Sequence, residues 1–166
     1  MSLTFYGKYR GTVVSNVDPL QRGRVQVSVP AILGSGQLSW AEACTPFAGN
    51  QVGIFAVPPV GANVWVEFEA GDPDRPILAG CFWGDGEVPA APAVAQVFMW
   101  KTESISLTLS DVPGAGGVTL EVGSPGASVP MKFACTSDGI ELSIGASKLL
   151  LSAASVSVND GALEVK

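Results

Sequence analysis

The alternation of apolar and polar positions divides the chain into two textures. In RVQVSVP, Val25, Val27 and Val29 alternate with Gln26 and Ser28, and in VWVEFEA, Val64, Val66 and Phe68 alternate with Trp65, Glu67 and Glu69. A period of two sends one set of side chains to a buried sheet face and the other to a wet one. Strands are predicted over Lys8 to Asn16, Gly23 to Pro30, Ser39 to Thr45, Val52 to Val57, Asn63 to Glu69 and Pro76 to Trp83. The first two are joined by VDPLQRG, in which Asp18-Pro19 and Gly23 supply turn chemistry, so they are expected to form a hairpin.

Short strands at this spacing over residues 1–85 predict a small closed or nearly closed barrel of the OB type. The next stretch, DGEVPAAPAVAQ, has no strand pattern, and residues 86–97 read as a semi-rigid Pro/Ala linker. Residues 98–166 carry the second texture. In SISLTLS, Ile105, Leu107 and Leu109 alternate with Ser104, Ser106, Thr108 and Ser110. Val118, Leu120 and Val122 repeat the pattern, as do Met131, Phe133 and Cys135, then Ile140, Leu142 and Ile144, and finally KLLLSAASVSV and ALEV. The turn signals PGAGG, GSPGASVP, TSDG, GAS and NDG separate these runs.

Such strands carry one stripe of Ile, Leu and Val opposite small Ser, Thr and Ala, with too little chain to cover the stripe. The segment is therefore expected to stack on copies of itself or on a partner. A trimeric β-helix or triangular β-prism meets this need, with Ile105, Leu107, Leu109, Ile140, Leu142 and Ile144 turned to a shared axis. The alternative is an ordinary monomeric β-sandwich. At the end, Leu163 and Val165 alternate against Glu164 and Lys166, so a trimer would finish in a blunt three-fold face with unpaired strand ends. Leu163, Val165 and Lys166 are the candidate contacts for a partner at that tip.

Composition agrees with an all-β chain: 47% of residues are hydrophobic and 14% charged, with 20 Gly and 12 Pro breaking any helical pattern. A net charge of −6 without a Lys/Arg cluster excludes the basic stripe that nucleic acid needs. The N-terminus MSLTFYGKYRG has no apolar export core, and Pro58, Pro59 and Gly61 interrupt the apolar stretches short of a membrane span. Synthesis in the cytoplasm is expected.

Candidate chemistry is sparse. Cys44, Cys81 and Cys135 are odd in number and far apart, so they read as buried free thiols rather than a disulfide framework. The chain has no histidine, which removes Ser-His and Cys-His nucleophiles and the usual zinc ligand sets. GAGG at 114–117 lacks the Lys-Ser/Thr of a phosphate loop and reads as a turn. Glu67, Glu69, Asp72 and Asp74 crowd one stretch, but they fall on a wet strand face and a turn, without the cleft that an acid/base pair about 5 Å apart requires. No catalytic residue, cofactor or metal is expected.

Several motifs, in order, carry a family resemblance: the DP-x3-GRV hairpin within YGKYRGTVVSNVDPLQRGRVQVSVP, the WA strand of WAEACTPFAG, and the P-x-x-G-x-x-VWVEFE strand followed by GDPDRPIL. Over about the first 85 residues the chain resembles the OB domain of phage baseplate assembly protein V and VgrG-type spikes. The ending VSVNDGALEVK resembles, over a shorter stretch, the C-terminal ends of such spikes. The resemblance implies a homotrimeric spike in a contractile machine: a phage tail, an R-type bacteriocin or a related injection system. It further implies a separate hub protein docked at the OB end, a PAAR-type cone protein or cargo at the C-terminal end, and contact with the target-cell envelope during puncture. No lysozyme-like domain follows the OB region, and the His-x-His iron site of some short phage spikes is absent. The rival reading is an OB-fold module that binds oligosaccharide or single-stranded nucleic acid through Trp40, Trp65 and Trp83.

Overall fold

Short β-branched runs cut by Gly, Pro and Asp-Pro turns give strands almost throughout, and the computed structural model describes residues 3–165. The chain divides into two compact units between Glu87 and Val88.

In the first unit the elements run β1 (Tyr9–Ser15), β2 (Val25–Ser28), a one-turn helix α1 (Pro30–Leu33), β3 (Leu38–Ala43), a tiny hairpin β4 (Ala48–Gly49) and β5 (Val52–Gly53), then β6 (Asn63–Phe68) and β7 (Pro76–Cys81). Five strands close a barrel in the order β1-β2-β3-β7-β6, antiparallel except for the short parallel pairing of β3 with β7. Its core is the predicted inward set, with Val13, Val25, Val27, Val29, Ala41, Val64, Val66, Phe68 and Leu78 buried together. Burying each valine completely stabilises the barrel by roughly 1.5–3 kcal/mol. Gly11 sits in β1 where a Cβ would come within 2.9 Å of the Ser28 carbonyl, so close strand approach requires glycine there. Phe5, Tyr9 and Phe68 pack as an aromatic trio with ring centroids 5.7–6.4 Å apart.

The region Val52 to Val57 departs from expectation. Only Val52 and Gly53 are strand, paired to Ala48 and Gly49 outside the barrel. This run lacks alternation, its residues 52–56 are exposed, and Pro58-Pro59 follow it without N–H groups to extend a ladder. The cysteines are free, as expected, but not buried: Cys44 lies just past the end of β3, Cys81 ends β7, and both are exposed, while Cys135 is half-buried. The first two fall where strands leave the core.

The hairpin between β1 and β2 is held by one side chain. Asp18 Oδ1 accepts the Leu20 N–H at 2.9 Å, and Oδ2 accepts those of Arg22 and Arg24 at 2.8 and 3.3 Å. The Arg24 guanidinium closes on both oxygens, with Nη2 2.8 Å from Oδ1, and its other face lies 5.3 Å from the Trp40 ring centre. The bond to Arg24, helped by the three backbone donors, holds the Asp18 carboxyl well below its ordinary value of 3.8.

The second unit is one antiparallel meander of β8 (Val97–Lys101), β9 (Ile105–Ser110), β10 (Gly117–Val122), β11 (Met131–Thr136), β12 (Gly139–Ile144), β13 (Ser147–Leu151), β14 (Val156–Val158) and β15 (Leu163–Val165). The strands lie side by side in chain order. β8 begins inside the stretch expected to be linker. Two-residue turns at 137–138 and 145–146 fix the register of β11 to β13. Gly139 takes φ +129°, and a Cβ there would overlap the Leu151 carbonyl oxygen, so this turn needs glycine. The sheet narrows from six residues per strand at β9–β12 to three at β14 and β15, a taper that the sequence pattern did not announce.

Asp18 sets an acid limit on the barrel. The unfolded chain protonates this carboxyl near its ordinary value of 3.8, whereas the folded state resists protonation until well below it. The stabilisation is therefore complete above that value and is lost progressively as pH falls below it, through the lower value of the folded state. Asp18→Asn should lower the melting temperature by a constant amount above pH 5, and the gap to wild type should shrink below pH 4 in thermal melts followed by circular dichroism.

Candidate functional site

Ladder register converts the alternating sequence of the second unit into three continuous rows on one sheet face. The central row runs Trp100, Leu107, Leu120, Phe133, Leu142, Leu149, Val158 and Leu163, each directly opposite the next on the adjoining strand. A second row runs Phe98, Leu109, Val118, Cys135, Ile140, Leu151, Val156 and Val165, and a shorter third runs Ile105, Val122, Met131 and Ile144 before ending at Ser147. Eight strands spaced about 4.8 Å apart make this face about 34 Å long.

Nothing in the unit covers it. Leu142 is 50% exposed, Ile144 56% and Trp100 67%. A trough of about 630 Å³, lined by Leu120, Phe133, Leu142, Leu149 and Val158 among others, runs along its middle.

The opposite face is mostly polar, with Val97, Met99 and Leu150 among its half-buried residues, and is the better covered of the two. Ser106, Thr108, Thr119, Ser143 and Ser157 are half-buried there and Ala134 is buried. Glu141 stands between two cations, 3.4 Å from Lys132 Nζ and 4.0 Å from Lys148 Nζ, with its side chain only 24% exposed. Lys148 also donates to Asp160 at 2.9 Å, and that carboxylate raises the Lys148 ammonium above its ordinary value. A soluble single-layer sheet hides its apolar face and wets its polar one. Here the exposure is inverted.

Of the residues singled out in the sequence, Ile105, Leu107, Leu109, Ile140, Leu142 and Ile144 lie together on the apolar face. Leu163 and Val165 of β15 lie on that same face as the last rungs of two rows, 61% and 60% exposed. Lys166 falls outside the described residues. The remaining members of the rows were legible as alternation but not named as a site, and Phe98 and Trp100 were missed. In VFMWK the neighbours Val97 and Met99 are apolar too, so period-two contrast is lost.

On the barrel, three of the four crowded carboxylates have structural partners. Glu67 pairs with Lys8 at 2.7 Å, Glu69 with Arg75 at 3.3 Å, and Asp72 accepts the Asp74 N–H at 3.0 Å to shape the turn. The tryptophans are largely occupied as well. Trp65 packs against Phe82 with ring centres 4.7 Å apart, and Arg10 lies over both rings. Arg24 takes one face of Trp40, leaving Trp83 the most exposed of the three at 66%.

A closed five-stranded barrel of the OB type is followed by a meander with one open apolar face, and comparison with known proteins gives each part a counterpart. Residues 9–83 match the family described as the type VI secretion system/phage-baseplate injector OB domain, and residues 96–164 match the phage baseplate V C-terminal trimerisation domain. The chain belongs to the phage baseplate V family, whose members and VgrG relatives are spike components of phage-baseplate and type VI injection machinery. Neither matched domain is an enzyme family.

Among relatives, the type VI secretion system spike protein VgrG4b of Pseudomonas aeruginosa is 35% identical over 78 residues, covering 47% of this chain and 9% of that protein. The actin cross-linking toxin VgrG1 of Vibrio cholerae is 41% identical over 64 residues, covering 36% of this chain and 6% of the toxin. The type VI secretion system spike protein VgrG3 of Vibrio cholerae is 42% identical over 62 residues, covering 35% of this chain and 6% of that protein. The chain thus spans less than a tenth of the length of the relatives it matches.

The polar face is expected to tolerate change. Glu141→Ala removes two part-exposed ion pairs, each worth about 0.2–1 kcal/mol. It should leave the molar mass by light scattering unchanged and lower the melting temperature only slightly.

Proposed function

We propose that the chain is the structural spike subunit of a contractile injection machine, a phage tail, an R-type bacteriocin or a related system, and that three copies pack their C-terminal sheets around one axis. The carrying observation is the inverted exposure of that sheet, whose apolar rows are open while its polar face is half-covered. The trimerisation family matched by residues 96–164 supports three as the number.

In this reading Ile105, Leu107, Leu109, Ile140, Leu142 and Ile144 form the shared core with the other members of their rows. The three sheets make a β-prism to which each chain contributes one side. The barrel docks on a hub protein at the end of the tube. At the other end, the outer edge of β15, the last strand in the sheet order, offers backbone groups to a PAAR-type tip protein, with Leu163 and Val165 beside it. Narrowing of the sheet towards β15 supports a tapering end rather than a blunt platform.

The work is mechanical. Sheath contraction drives the spike into the target-cell envelope, and the chain contributes rigidity and two interfaces rather than chemistry.

Light scattering of the full chain at micromolar concentration should give three times its 17.0 kDa mass. Leu142→Asp would bury three unpaired carboxylates near one axis, each costing several kcal/mol, and should yield monomer. A wild-type chain that stays monomeric at micromolar concentration and above would refute the trimer. Saturable binding of single-stranded DNA or glycans in a fluorescence titration would favour the OB-fold binding module instead.

A further inference from the structure

We infer that the C-terminal sheet has no folded monomeric state: the sheet forms and the three chains join in one step, beside a barrel that folds by itself. The inference rests on the trimer reading above and adds to it what the unassembled chain is.

Among the described residues, nine of the ten buried hydrophobic side chains line the barrel. The tenth, Ala134, brings the second unit a single buried methyl. A barrel closed on itself has both the second layer and the paired edges that a stable fold needs, whereas a single open sheet has neither. Ordering the backbone of the second unit carries the same entropy cost per residue as in the barrel, yet its large side chains stay open to water.

Hairpins such as β11–β12 and β12–β13, with their two-residue turns, form and dissolve rapidly but are marginal without a covering layer. The covering layer here is the other two copies. An obligate oligomer of this kind has no separate monomer stability. The unassembled chain therefore carries a folded barrel and an unstructured C-terminal half, and it never displays the three apolar rows as a ready-made adhesive sheet.

Hydrogen exchange read by mass spectrometry on the full chain tests this. In wild-type trimer, amides of β2 and β6 in the barrel and of β11 and β12 in the sheet should all be protected. In monomeric Leu142→Asp, β2 and β6 should keep their protection within about twofold, while β11 and β12 should exchange at least 100-fold faster, near the rate of an unstructured chain. Dilution of wild type guards against a purely local effect of the new carboxylate, because loss of trimer mass and loss of sheet protection should share one midpoint.

Monomer that retains protected β11 and β12 amides, in the variant or on dilution, overturns the inference while leaving the trimer intact as a reading. Simultaneous loss of β2 and β6 protection overturns the independent barrel. Wild type that is monomeric at every concentration refutes the trimer itself, and a variant that remains trimeric refutes the assignment of the face.

Discussion

One constraint governs the second half of this molecule: a sheet with a period-two apolar pattern needs a second layer, and the described residues of this unit form only the one sheet. Everything distinctive about the sheet serves that face. Two-residue turns and Gly139 hold the strands in register, and register matters because a slip of one residue would send Leu142 and its row to the polar side. The charges of Lys132, Glu141, Lys148 and Asp160 bind neighbouring segments to one another from behind the apolar rows.

The barrel is the opposite case. Its strands close on themselves, its valines are buried together at the centre, and the loop between β1 and β2 is tied by one polar side chain. That side chain is Asp18, whose one carboxylate satisfies three backbone donors and both ends of the Arg24 fork. The chain thus joins a unit whose core is complete to one whose apolar face lacks a second layer among the described residues, and the proposed trimer would supply that layer.

Sequence legibility followed the strength of alternation. Val64, Val66 and Phe68 in the barrel core and Ile140, Leu142 and Ile144 on one face of the sheet follow the alternation, because each run contrasts large apolar with small or charged residues at period two. Where contrast fails, so does the reading: Val52–Val57 is uniformly apolar and forms only a two-residue bridge, and VFMWK hides β8 for the same reason. The thiols were misjudged because Cys44 and Cys81 lie in apolar runs at points where their strands leave the core, a boundary the pattern does not mark. The site was visible as a stripe in want of cover, while its continuity needed the register, since only pairing shows that Trp100 and Leu163 stand in one row. Long-range partners such as Lys8 with Glu67 had no signal in a single sequence.

The direction of the strands bears on the proposed mechanical role. In the meander the hydrogen bonds and two of the side-chain rows run across the strands from β8 to β15, with the third row spanning β9 to β12, so a load applied along that direction passes from strand to strand through backbone pairs and stacked side chains. Covalent continuity is confined to the turns at the margins. A lone sheet loaded this way buckles towards its open face, because nothing resists bending there. Filling that face with two further copies supports each row from behind, and close-packed side chains have the low compressibility of protein interiors. Stiffness and assembly thus depend on the same residues, and a weakened central row is expected to lose both together.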